Sequence, residues 1–233
     1  MSCAHPVVGI IGGMGPAATV DLMRRLVERT PATDDVDHLH VIVESNPKIP
    51  SRIAHLIEGT GEDPTPELVR IARNLEQAGA TLLAMPCNTA HYYAPAIQAA
   101  VQVPLLNMVQ LTASRLATNF PAATVGLLSS TAVHRTGVYR QALAAHGLSL
   151  QLPADQDDLM DIIRRVKRGD TGEEVRARFR AIALALGERC DVLLIACTEL
   201  SVLADALRGH GAVVDSQEVL VDAILAAVLP KET

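Results

Sequence analysis

Aromatic residues make up only 2% of this 233-residue chain, and tryptophan is absent. A surface for stacking bases or sugar rings has little to be made from. No Lys/Arg run occurs and the formal charge is −6, which argues against a nucleic-acid groove or an anionic membrane as partner. No apolar stretch reaches the roughly 18 to 20 residues that cross a bilayer, because Gly, Pro or charge interrupts each one. The opening MSCAHPVVGIIGGMG lacks the basic n-region of a secretory leader and runs directly into a strand pattern, so the expected location is cytoplasmic. Cys3, Cys87, Cys190 and Cys197 are too sparse for a disulfide framework and read as free thiols. Aliphatic side chains are plentiful: the chain is 49% hydrophobic and 20% charged, enough for one large core or for two lobes. The expected partner is a small molecule.

Short β-branched runs alternate with helical periodicity throughout. Strands are expected over 6–11, 39–45, 81–85, 103–108, 123–129, 191–196 and 211–215. Helices are expected over 18–29, from Thr65, and over 93–101, 109–117, 138–146, 157–167, 173–186, 200–207 and 216–228. Thr65 is the expected N-cap with Pro66 at the first helical position, and Gly79, Gly147 and Gly169 stand where helices should stop. Continuous apolar strands separated by helices indicate parallel sheets covered on both faces.

Two internal matches organise the chain. VVGIIGG (7–13) is similar to TVGLLSS (124–130), 117 positions further on, while TLLAMPC and VLLIAC end in cysteines 110 positions apart. Such similar offsets suggest two α/β halves of related build. Ligands of open α/β sheets collect beyond the carboxyl ends of strands, so lobes that face each other would bring Cys87 and Cys197 to one cleft. Backbone N–H groups at a helix entry favour an anion, so either thiol could titrate below the ordinary value of about 8.5. One cysteine on each side of a carbon can remove a proton as thiolate and deliver one as thiol, inverting configuration. The carbanionic intermediate needs preorganised donors. The loop GGMG (12–15), Asn88, Thr89, Ser130 and Thr198 are the candidates, with charge from Arg52 and Lys167. His91, four residues after Cys87, falls on the same face if a helix begins there.

Other chemistries are poorly served. GGMGP is not the dinucleotide fingerprint GxGxxG. Cys197-Thr198-Glu199 offers no paired metal-ligand spacing and the histidines are scattered. Nothing around the three lysines, Lys48, Lys167 and Lys231, looks like a pyridoxal site. No metal and no cofactor are expected.

GIIGGMGPAAT (9–19), SNPKIPSR (45–52), MPCNTAH (85–91) and ACTEL (196–200) together resemble the aspartate/glutamate racemase family, whose members racemise amino acids without a cofactor. The resemblance implies two pseudo-symmetric α/β domains, each a largely parallel sheet flanked by helices, with the active site in the cleft between them. The C-terminal segment would complete the first domain, giving residues 1–110 plus 209–233 and a second domain of 111–208. It implies a homodimer and catalytic Cys87 and Cys197. Arg52 and Lys167 match residues that handle substrate carboxylates; Met14, Gly15, Asn88, Thr89, Ser130 and Thr198 match positions near the substrate, and Glu199 matches an acid behind them. Ala17, Ser51 and Ala132-Val133 depart from the family's Glu, Asp and Gly-Thr. The loss of that threonine hydroxyl points away from strict aspartate specificity. The alternatives are an isomerase or lyase acting on another carboxylate or a hydantoin, and a non-catalytic amino-acid-binding protein.

Overall fold

The computed structural model describes residues 5–229; the expectations for Cys3 and Lys231 lie outside them. The chain groups into two compact units. The first comprises the residues up to Pro86, Ala90–Asn107 and the chain from Leu220; the second comprises Cys87–Thr89 and Met108–Val219.

In the first unit, strands β1 (Val7–Gly12), β2 (His40–Ser45) and β3 (Leu82–Ala84) are parallel, in the order β2-β1-β3. β1 and β3 are buried along nearly their whole length, the pattern of strands covered on both faces. Gly12 faces the helix Pro16–Arg29, where a Cβ would stand 2.6 Å from Thr19 Cγ2. Gly9 faces the other way, toward Leu75 of the helix Thr65–Gln77.

Two local expectations are corrected. Pro64 takes the N-cap position and Thr65 begins the helix. The acceptor is Asp63, whose carboxylate takes the Thr65 backbone N–H at 2.8 Å and its hydroxyl at 2.6 Å; these bonds hold the Asp63 carboxyl below its usual range. The expected strand over 103–108 is reduced to one parallel bridge between Leu83 and Leu105, and Met108 already begins a helix. Pro104 has no N–H to give, and the N–H groups of Gln102 and Val103 go to Glu76 Oε1, that of Leu105 to Gln98 Oε1.

In the second unit, β4 (Thr124–Leu128), β5 (Ser149–Gln151), β6 (Val192–Ile195) and β7 (Val213–Asp215) form a parallel sheet in the order β5-β4-β6-β7. Val125, Leu127 and Leu194 pack with Val109, Ala113 and Leu116 of the helix Met108–Asn119 and with Tyr139 and Leu143 of the helix Val138–Ala144. Gly126 turns to the opposite face, toward Leu186 of the helix Glu173–Gly187.

The two sheets repeat one plan. Each opening strand is central, the next lies on one side of it, and the third lies on the other. The repeat extends to atoms. A Cβ on Gly9 would meet Leu83 at 2.7 Å, Ala80 at 2.8 Å and Leu75 at 3.2 Å; on Gly126, 117 positions later, it would meet Cys190 at 2.6 Å and Leu193 and Leu186 at 3.0 Å. Cys190 is thus the counterpart of Ala80, a small side chain filling the gap over a glycine.

The chain from Leu220 groups with the first unit, while β7, which pairs with β6, stays with the second. Gly79, Gly147 and Gly169 all have positive φ (101°, 72° and 88°), as helix stops require.

Candidate active site

Cys87 follows β3 and Cys197 follows β6, the third strand of each sheet, and each is only 6% exposed. Both are free thiols, as is Cys190. Both catalytic candidates belong to the second unit, because Cys87, Asn88 and Thr89 group with it although Pro86 and Ala90 group with the first.

Cys197 stands at the N-cap position of the four-residue helix Thr198–Ser201. Its thiol donates to Glu199 Oε2 at 3.1 Å, and Lys167 Nζ stands 3.7 Å from Glu199 Oε1. Glu199 is 5% exposed, and its Oε1 has no hydrogen-bond partner among the described residues. Lys167, Glu199 and Cys197 therefore form one line from half-exposed ammonium to buried thiol. Burial, reinforced by the Glu199 charge and by the hydrogen bond given to it, pushes the Cys197 thiol well above the ordinary thiol range. This overturns, for Cys197, the expectation of a lowered value: the Lys167 charge and the Glu199 backbone N–H pull downward but less strongly.

The other candidates in this unit are engaged locally. Asn88 is 2% exposed; its Oδ1 accepts from Tyr139 Oη at 2.6 Å and its Nδ2 donates to Ser216 Oγ at 3.1 Å. The Thr89 and Ser130 hydroxyls lie 3.3 Å apart. Ser130 Oγ also accepts from Val133 N at 3.3 Å as the N-cap of the helix Thr131–Thr136. Ala132 and Val133 are 0% and 1% exposed, so the pair replacing the family's Gly-Thr packs into the core. Thr198 is buried beside Cys197.

In the first unit, Met14 and Gly15 lie in the loop after β1. The Thr19 hydroxyl accepts from Gly13 N at 2.9 Å and donates to Gly15 O at 3.0 Å, so one of the loop N–H groups expected to serve an anion is already used. Gly13 has φ 91°, and a Cβ there would lie 2.4 Å from Asn46 backbone; only glycine fits. Arg52 Nη1 donates to Pro50 O at 3.1 Å, while its Nε is buried without a hydrogen-bond partner among the described residues. Arg52 stands two residues before a π-helical turn, Ala54–Glu58, a feature frequent at functional sites. His91 is 5% exposed in a 3₁₀ turn, Thr89–Tyr93, rather than in an α-helix. The spacing argument that put it on one helix face with Cys87 does not hold.

Sequence reasoning missed Tyr139 and Ser216, which hold Asn88. Of the three tyrosines, Tyr139 alone is fully buried, at 0% exposure, but no spacing ties it to residue 88. Among the described residues no group of three or more His, Cys, Asp or Glu side chains is placed to hold a metal ion, and no helix is long and apolar enough to cross a membrane.

In comparison with known proteins, the family model described as Asp/Glu/Hydantoin racemase matches residues 11–224. The chain belongs to that family. The broad specificity amino-acid racemase RacX of Bacillus subtilis (strain 168) is 24% identical over 229 residues, covering 96% of this chain and 98% of the relative. The aspartate racemase of Picrophilus torridus superposes with a TM-score of 0.87 at 34% identity, covering 96% of this chain and 94% of that one. An aspartate racemase homologue from Pyrococcus horikoshii OT3 has a TM-score of 0.73 at 22% identity, covering 96% and 99%; it shows the shared fold. The membership accounts for the repeated sheet order and for the matched places of the two buried cysteines in this racemase-family chain.

Proposed function

We propose that this chain inverts the α-carbon of an amino acid by 1,1-proton transfer between Cys87 and Cys197. The observation that carries this reading is the pairing of two buried free thiols in one unit, each just beyond the third strand of its sheet. In one direction Cys87, as thiolate, takes the α-proton and Cys197 gives its S–H proton to the opposite face of the carbanion. The environment of Cys197 suits that role, since burial and Glu199 hold it protonated at neutral pH. After that step Cys87 holds the abstracted proton and Cys197 is the thiolate, so in the reverse direction Cys197 takes the α-proton and Cys87 gives its S–H proton to the other face; Glu199 Oε2, the acceptor of the Cys197 thiol, orients that sulfur.

Arg52, with a buried Nε left without a partner, is assigned to a substrate carboxylate, for which a guanidinium fork is well suited. The remaining Lys167 donors, Met14, Gly15, Asn88, Thr89, Ser130 and Thr198 are assigned to substrate contacts, and His91 to their support. The substrate class is an amino acid such as aspartate or glutamate. Burial of Val133 in place of a threonine hydroxyl favours broader side-chain acceptance, in line with the breadth named for the Bacillus relative. A homodimer completes the proposal and is tested by sedimentation.

The test is incubation of an amino-acid panel in deuterated water. Loss of the α-hydrogen with formation of the enantiomer supports the reading; tight binding without exchange, or a product that is not an enantiomer, overturns it.

A further inference from the structure

We propose that Tyr139 is a positioning residue for Cys87, acting through Asn88 to hold the first thiol in the unit that carries the second; this rests on the two-thiol reading above. The short segment Cys87–Thr89 groups with the second unit while both its neighbours in sequence, Pro86 and Ala90, group with the first. Something must fasten those three residues, and the side chains that do so are visible. Tyr139 Oη donates to Asn88 Oδ1 at 2.6 Å, Asn88 Nδ2 donates to Ser216 Oγ at 3.1 Å, and Thr89 Oγ1 lies 3.3 Å from Ser130 Oγ.

The node is dry and rigid. Tyr139, Ser216 and Thr112 are 0% exposed and Asn88 is 2% exposed, and the Thr112 and Ser216 hydroxyls also lie beside the phenol. Three elements supply it: the helices Val138–Ala144, Met108–Asn119 and Ser216–Val228. A buried amide with satisfied partners on both ends is fixed in orientation, because breaking either bond leaves a buried polar atom unpaired. The backbone that carries Cys87 is fixed with it. An error of about 1 Å at a proton-transfer atom can cost about two orders of magnitude in rate, so such a tether suits a thiol that must face one side of a carbon.

The experiment is Tyr139→Phe in the full chain, which keeps the ring and removes the hydroxyl. Three things are read: the iodoacetamide alkylation rate of Cys87 and of Cys197 by peptide mass mapping, kcat, and KM. Alkylation of Cys87 should rise about fivefold or more while that of Cys197 stays unchanged, and kcat should fall roughly 5- to 30-fold with KM within about twofold, the scale of one buried hydrogen bond. Ser216→Ala, at the other end of the same amide, should give the same pattern in smaller measure and serves alone if Tyr139→Phe does not fold. Unchanged alkylation of Cys87 with normal kcat, or equal acceleration at both thiols, overturns the proposal. If wild-type protein shows no α-hydrogen exchange, it is the racemase reading that fails, and the alkylation comparison still tests the tether.

Discussion

Replacing Gly126 by alanine tests the repeated plan at its tightest point. The added Cβ would lie 2.6 Å from Cys190 Sγ and 3.0 Å from both Leu186 Cγ and Leu193 Cδ2. Gly126 sits in β4, which is paired on one side with β5 and on the other with β6, so the strand cannot retreat without breaking a ladder. Overpacking of this kind costs about 1–3 kcal/mol. At about 2–4 °C of Tm per kcal/mol for a chain of this size, thermal unfolding followed by circular dichroism should move down by about 2–12 °C. Because the shortest approach is to one sulfur, Cys190→Ala in the same background should relieve part of the loss, leaving the double variant more stable than the sum of the singles by about 1 kcal/mol. Gly9→Ala should behave likewise against Ala80 and Leu83, with Ala80→Gly as the relieving change. Strictly additive losses, or a Gly126→Ala protein as stable as the parent, would refute the claim that the side chains packed over these glycines leave no room for a Cβ.

Glu199→Gln removes the charge that helps burial raise the Cys197 thiol. Alkylation of Cys197 should therefore begin at lower pH than in the parent, and an unchanged onset would show that the carboxylate has no part in holding the proton. Since a raised folded value makes the Cys197 thiol stabilising below the unfolded thiol range of about 8.5 and progressively less so above it, urea stability should fall at alkaline pH. Cys197→Ser should blunt that fall. Arg52→Lys should raise KM for an acidic substrate by about tenfold or more with a smaller change in kcat, as expected where a planar fork is replaced by a point charge. Cys190→Ser, away from both thiols of the proposal, should keep kcat within about twofold by the same racemisation assay, because Cys190 contacts Gly126 and the helix above it.

Much of the fold was readable because its central strands are continuous apolar runs. β1, β4 and β6 are each an unbroken buried run, and no helical period competes with them. β5 was not readable: Ser-Leu-Gln is three residues at the sheet edge, with an exposed serine and the other two half-buried, too short to carry a period. The helix Thr131–Thr136 was hidden because it is only six residues long, and the capping role of Ser130, whose oxygen takes the Val133 N–H, was not seen beside its reading as a substrate-facing hydroxyl. The two thiols were legible from a repeated strand-to-cysteine pattern, and the Lys167–Glu199–Cys197 line was not, since 30 positions separate Lys167 from Cys197. A helix end that attracts an anion and a carboxylate that repels one sit within two residues of each other. Only coordinates show that burial and the carboxylate win. Asn88 illustrates the same limit, because no spacing in the sequence ties it to the buried Tyr139 and Ser216 that its amide bonds.

The most direct measurement is α-hydrogen exchange and enantiomer formation in deuterated water by the parent, Cys87→Ala and Cys197→Ala proteins, on a substrate that the panel identifies. The account expects the parent to give enantiomer deuterated at the α-carbon, and each single variant to lose racemisation by at least about three orders of magnitude while unfolding as the parent does. Near-normal racemisation by either variant would contradict it.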